Sequence, residues 1–145
     1  MSGVLVPTAQ RAGAVMLADG KALRIPEPNA VLATTQRRID RDRAGVLRFM
    51  QAYVEGVHFF KTNRDETIRI MQQYMSGLSV DETAYLYDDV KDDYRPLPLP
   101  NEEAIQAGLE RDLENPVLDL KPSDFYDSSF LQEIDRSGLV TALYR

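Results

Sequence analysis

At 145 residues, 43% hydrophobic and 28% charged, the chain has the size and balance of one globular domain able to bury a core. Its net charge of −6, with acidic and basic residues interspersed and no basic face interleaved with aromatics, sets nucleic-acid binding aside. The absence of cysteine excludes disulfides, thiolate catalysis and cysteine-ligated zinc, and a single histidine, His58, cannot build a histidine-rich metal site.

In chain order, Val4-Leu5-Val6-Pro7 reads as a short strand closed by a proline, which cannot donate to a ladder. Thr8 is then placed to cap a helix running through Ala18, and Asp19-Gly20 marks a turn. Pro26 and Pro28 lead into Ala30–Thr35, a second short apolar strand. Asp42 can cap a long helix whose apolar positions Val46, Leu47, Met50, Tyr53, Val54, Val57 and Phe60 share one face. Asn63 with Glu66 has the form of a capping box, opening a helix with Ile68, Met71 and Met75 that Gly77 stops. Ser79 with Glu82 is a second box, opening a helix with Tyr85, Leu86 and Val90. The run Arg95-Pro96-Leu97-Pro98-Leu99-Pro100 predicts an extended, semi-rigid connector. Asn101 caps a helix carrying Ile105, Leu109 and Leu113. Asp127 or Ser128 opens another through Asp135, ended by Gly138, with Leu139-Val140 and Leu143-Tyr144 as an apolar tail.

The expected fold is therefore mainly α with a small β component, an α/β arrangement of two or three short strands followed by five or six helices. Residues 1–35 hold the strands and residues 36–145 form a helical segment, the whole making one compact unit. Two strands alone make no stable sheet, so they pair with each other or with strands this chain lacks. No apolar stretch reaches the ~18–20 residues that span a bilayer, and no secretory leader pattern opens the chain.

The order of these elements, with their residues, resembles the second half of periplasmic solute-binding proteins serving ABC importers of the nitrate, sulfonate and taurine class. Ile25-Pro26-Glu27-Pro28-Asn29 before Ala30–Thr35 looks like the family's second crossing between lobes. Val4-Leu5-Val6-Pro7 is similar to its strand ending in proline at the ligand cleft. Met16-Leu17-Ala18-Asp19-Gly20 resembles the strand that follows, which makes Val15–Ala18 a strand where periodicity reads helix. Arg48-Phe49-x-x-Ala52-x-Val54-Glu55-Gly56 and Lys61-x-Asn63-x-x-Glu66 look like the family's long helix and the helix after it. Pro122–Leu131 and Ser137-Gly138-Leu139 look like its closing element. The resemblance implies the carboxy-terminal portion of a type II periplasmic-binding-protein-like fold at the cell envelope, a small organic anion or heterocycle as ligand, and a permease as partner. The family is about twice this length, and the lobe carrying most ligand contacts has no counterpart here.

Pro7 and Thr8, at a strand end, and Asn29, beside the crossing, are the candidate ligand-binding residues, since strand carboxyl ends face the crevice in α/β sheets. An ordinary strand-to-helix turn also explains the first two. His58 has no visible acid–base partner and reads as a half-buried structural residue. Gly56, mid-helix, marks close approach of a ligand or, preferably, close helix packing. Asp88, Asp89, Asp92 and Asp93 lack the glycine and distal glutamate of a calcium loop and read as a solvated face. No cofactor and no metal are expected. The expected function is a non-catalytic importer binding component, fragmentary or truncated, that self-associates through exposed strand edges. The alternative is a helical protein-interaction module without a small-molecule ligand. An enzyme of the related thiamine-pyrimidine synthase type is disfavoured, because the cysteines it depends on are missing.

Overall fold

The computed structural model describes residues 5–23, 25, 31–111 and 120–145. Among them the regular structure is entirely helical, and no strand occurs. The helices are α1 (Val6–Arg11), α2 (Gln36–Arg41), α3 (Arg43–Thr62), α4 (Arg64–Tyr74), α5 (Val80–Val90), α6 (Glu102–Arg111), α7 (Ser129–Arg136) and α8 (Leu139–Leu143), with a 3-10 turn at Pro122–Phe125.

The α/β expectation is overturned, and each strand fails for its own reason. Val6 and Pro7 open α1, because proline fits the first turn of a helix, where its missing N–H has no bond to make. Thr8 therefore lies inside α1 rather than capping it. The helix ends at Arg11 instead of Ala18, because Gly13 takes φ +90°, a left-handed turn that breaks the ladder. Residues 14–19 then run without regular structure, so neither the helix nor the Val15–Ala18 strand forms. Val31–Thr35 is extended chain with no strand beside it. Its last residue starts a helix instead, the Thr35 hydroxyl accepting from the Arg38 N–H at 3.2 Å to cap α2. With no sheet, the strand edges proposed for self-association do not exist among the described residues. Val4, Arg24, Pro26–Ala30 and Leu113 lie outside those residues, and Asn29 with them.

The molecule is organised around α3. Asp42 caps it, accepting from the Gly45 N–H at 2.9 Å, and a Cβ on Gly45 would collide with that same carboxylate. Its apolar stripe divides between two clusters. Val54 is fully buried against Leu131 and Ile134 of α7, with Leu47, Met50, Leu97, Leu139, Val140 and Leu143 packed around them. Leu97 comes from the proline connector, which is extended as expected and closes this core from one side. Farther along α3, the Phe60 ring meets Tyr87 and Tyr94 at centroid distances of 5.0 and 5.1 Å. The Tyr87 hydroxyl donates to the Phe60 carbonyl at 3.0 Å, so this buried phenol is both packed and hydrogen-bonded.

α4 and α5 form an antiparallel pair behind α3. A single residue, Asn63, separates α3 from α4. Its amide donates back to the Phe59 carbonyl at 3.2 Å, so the capping box expected with Glu66 does not form, and Glu66 pairs with Arg69 instead. The Ser79–Glu82 box does form, Ser79 N–H donating to the Glu82 carboxylate at 2.8 Å. Gly77 and Gly138 hold the expected left-handed stops, at φ +99° and +78°. α6 is capped by Asn101, whose side chain accepts from the Ala104 N–H at 3.2 Å. Arg43 ties the start of α3 to α7, lying 4.6 Å over the Phe130 ring and pairing with Glu133 at 2.8 Å. The buried residues all fall between Val54 and Ile134; α1 and α2 contribute none.

Candidate functional site

α1 places Pro7 and Thr8 on the outside of α5, not at a cleft. The Thr8 hydroxyl donates to Glu82 Oε1 at 3.1 Å and accepts from Arg11 at 3.4 Å, and Arg11 itself pairs with Glu82. Donors from Arg11, Ser79 and Thr8 converge on the one carboxylate, and they hold Glu82 down at about 2, the Arg11 guanidinium contributing most. Thr8 thus serves a surface ion-pair cluster. Pro7 sits half-buried in the first turn of α1, and Asn29 lies outside the described residues.

The acidic run is spent in the same way. Asp88 pairs with Arg64 at 2.7 Å and Lys91 at 3.0 Å, and these partners hold its carboxyl at about 2. Lys21 reaches Asp93 at 3.1 Å and the Asp89 carbonyl. No grouping of His, Asp and Glu with the geometry of a metal site occurs among the described residues. His58 is half-buried, its ring edge-on to Tyr144 at 4.8 Å, and that contact accounts for it structurally.

The surface feature with the strongest shape is an apolar groove of about 440 Å³ along α3, lined by Phe49, Ala52, Tyr53, Gly56, Val57 and Phe60 and closed by Tyr94. Residues 49, 53, 56 and 60 recur at helical spacing, which lays one stripe of α3 along the floor. Phe49 is 60% exposed there. A Cβ built on Gly56 meets nothing within 4 Å, so close packing within the chain does not explain this glycine, contrary to the preferred expectation. The Tyr53 phenol is pushed above its ordinary range by burial, with the neighbouring Tyr94 phenol adding to the shift. No charged side chain lines the groove, so it offers contact area and two hydroxyls rather than an anchor for an anion. The periodicity of α3 assigned Tyr53, Val57 and Phe60 to a buried face, and only the isolated Gly56 signalled that part of this face is open.

A second depression, about 390 Å³, lies at α2 and is lined by Thr35, Arg37, Arg38 and Arg41. It concentrates positive charge on a chain of net −6, although Asp42 pairs with Arg38 at 3.0 Å. All four lining residues are exposed, and all belong to one short helix and its cap. No described helix is long and apolar enough to cross a membrane.

No family model matches the chain, and no curated protein or solved structure is significantly similar to it.

Proposed function

We propose that this chain is the helical portion of a non-catalytic solute-binding component of an ABC importer of the nitrate, sulfonate and taurine class, acting at the cell envelope. In this reading it works against a second body that supplies most of the ligand contacts, and a permease receives the assembled receptor. The observation that carries the proposal is the order of its helices. The residues resembling the family's long helix and the next one fall on α3 and α4, joined by one residue. Those resembling the closing element fall on the 3-10 turn, α7 and the left-handed stop at Gly138, in sequence. A helical interaction module without a small ligand is the second reading, and the uncharged lining of the α3 groove favours it.

A chimera tests the first reading. Residues 36–145 would replace the corresponding helical segment of a full-length receptor of the class. The expected product melts in one cooperative transition and still binds its ligand by calorimetry. A chimera that is molten while the isolated chain melts cooperatively would overturn the proposal. Alone, the chain is expected to give no binding heat with nitrate, taurine, alkanesulfonates or pyrimidine precursors, because a site normally encloses ~70–90% of its ligand. Micromolar binding by the isolated chain would mark it as a complete receptor.

A further inference from the structure

Residues 12–18, Ala-Gly-Ala-Val-Met-Leu-Ala, are seven uncharged residues in a chain that is 28% charged. They form an arch over α5 with both feet pinned. Arg11 holds one foot to Glu82 in the first turn of α5, and Lys21 holds the other to Asp93, just past its last turn, at 3.1 Å. Between the feet the side chains face outward: Val15 is 80% exposed, Leu17 95% and Met16 46%. Asp93, which holds the second foot, directly precedes Tyr94, the rim of the α3 groove. One copy therefore carries side by side an apolar projection that it does not bury and an apolar recess that it does not fill.

We propose that the arch of one copy seats in the α3 groove of a second copy, and the second copy's arch in the first, as a two-fold dimer. Projection and recess lie beside one another on one surface, which is the arrangement an isologous contact needs, and exchange in both directions leaves neither feature free to recruit a third copy. The arch and the groove lining are both uncharged, so docking strands no unpaired charge. Gly56 leaves the floor open where an alanine or larger residue would intrude. The two ion-paired feet hold the arch in place before binding, which lowers the ordering cost of association. Two copies of net charge −6 repel, so salt tightens this dimer instead of loosening it. The contact is independent of the importer reading, since it calls on no solute and no permease.

Sedimentation of the full chain should show a monomer–dimer equilibrium that shifts toward dimer as ionic strength rises. Leu17→Asp removes a leucine that the dimer buries and should weaken association roughly tenfold or more. Gly56→Leu should do the same by filling the floor, with circular dichroism unchanged in both variants. Because the native chain lacks cysteine, the pairing can also be read covalently. A Leu17→Cys chain mixed with a Gly56→Cys chain should form a disulfide heterodimer far faster than either forms with a Tyr74→Cys chain, whose site is exposed elsewhere. A strict monomer at high micromolar concentration overturns the proposal, as does a dimer indifferent to both substitutions. So does a Leu17→Cys, Gly56→Cys double variant that closes within one chain at high dilution, which would seat the arch in its own groove.

Discussion

Glu82 shows how much of the surface chemistry here is structural. Its carboxyl sits at about 2 in the folded chain against 4.5 for the free group, and Asp88 is likewise held at about 2. A depressed carboxylate contributes stability above its unfolded value and loses it as pH falls toward the folded value. The melting temperature should therefore drop on acidification between about pH 4.5 and 2, and Glu82→Gln should flatten part of that decline, Asp88→Asn the rest. Amide exchange at residues 6–11 should rise in the same window, because Glu82 is what α1 grips. In the core, Ile134 is 1% exposed, and Ile134→Ala should cost roughly 2–5 kcal/mol by urea denaturation. Gly56→Ala should act oppositely, raising the stability of the free chain by about 0.5–1 kcal/mol, since its Cβ meets nothing. The sequence singles out Gly56 as costly in a helix but cannot say which side it faces, because glycine carries no hydropathy signal of its own. Thr8 was legible as a polar residue at a helix start. Its partner Glu82 lies far along the chain, and no local pattern pairs them.

Among the elements, capping separates what was local from what was not. Ser79 and Glu82 satisfy one another's backbone groups without outside help, so the box read from sequence is the box that forms. Ser79→Ala should cost about 1 kcal/mol and fray the start of α5. Asn63 has the same sequence form, yet its amide is drawn to a carbonyl left open by the end of α3. Asn63→Ala is accordingly expected to perturb α4 less than Ser79→Ala perturbs α5, a comparison that paired urea melts would settle. The long helix was legible from Asp42 and its apolar spacing, and its bounds followed. The strands were not, because a short apolar run becomes a strand only when another backbone lies alongside. Val6 and Pro7 found a helical turn, and Val31–Thr35 found no neighbour strand.

For the molecule as a whole, helix should dominate the far-ultraviolet spectrum, well above the ~30–35% of an average soluble domain. A strand-dominated spectrum would contradict the architecture. The helical part beyond residue 36 was readable because each helix announces itself within a few residues. How those helices divide α3 between a closed core and an open groove was not, since both faces carry similar residues. Phe49 and Val54 are alike in hydropathy, and only the arrival of α7 on one side decides which of them is hidden.

Val54 meets Leu131 and Ile134 far downstream in the chain. During synthesis, which runs from the amino terminus at about 5–20 residues per second, α3, α4 and α5 emerge and pair while that seam still faces water. For several seconds the nascent chain displays an apolar strip that the finished molecule conceals. A chaperone gripping the strip would be displaced as Ser129–Arg136 arrives, which makes α7 a clasp whose closing marks the end of folding. A premature stop ahead of Ser129 would leave α3, α4 and α5 paired but the strip open, a product suited to degradation rather than to use.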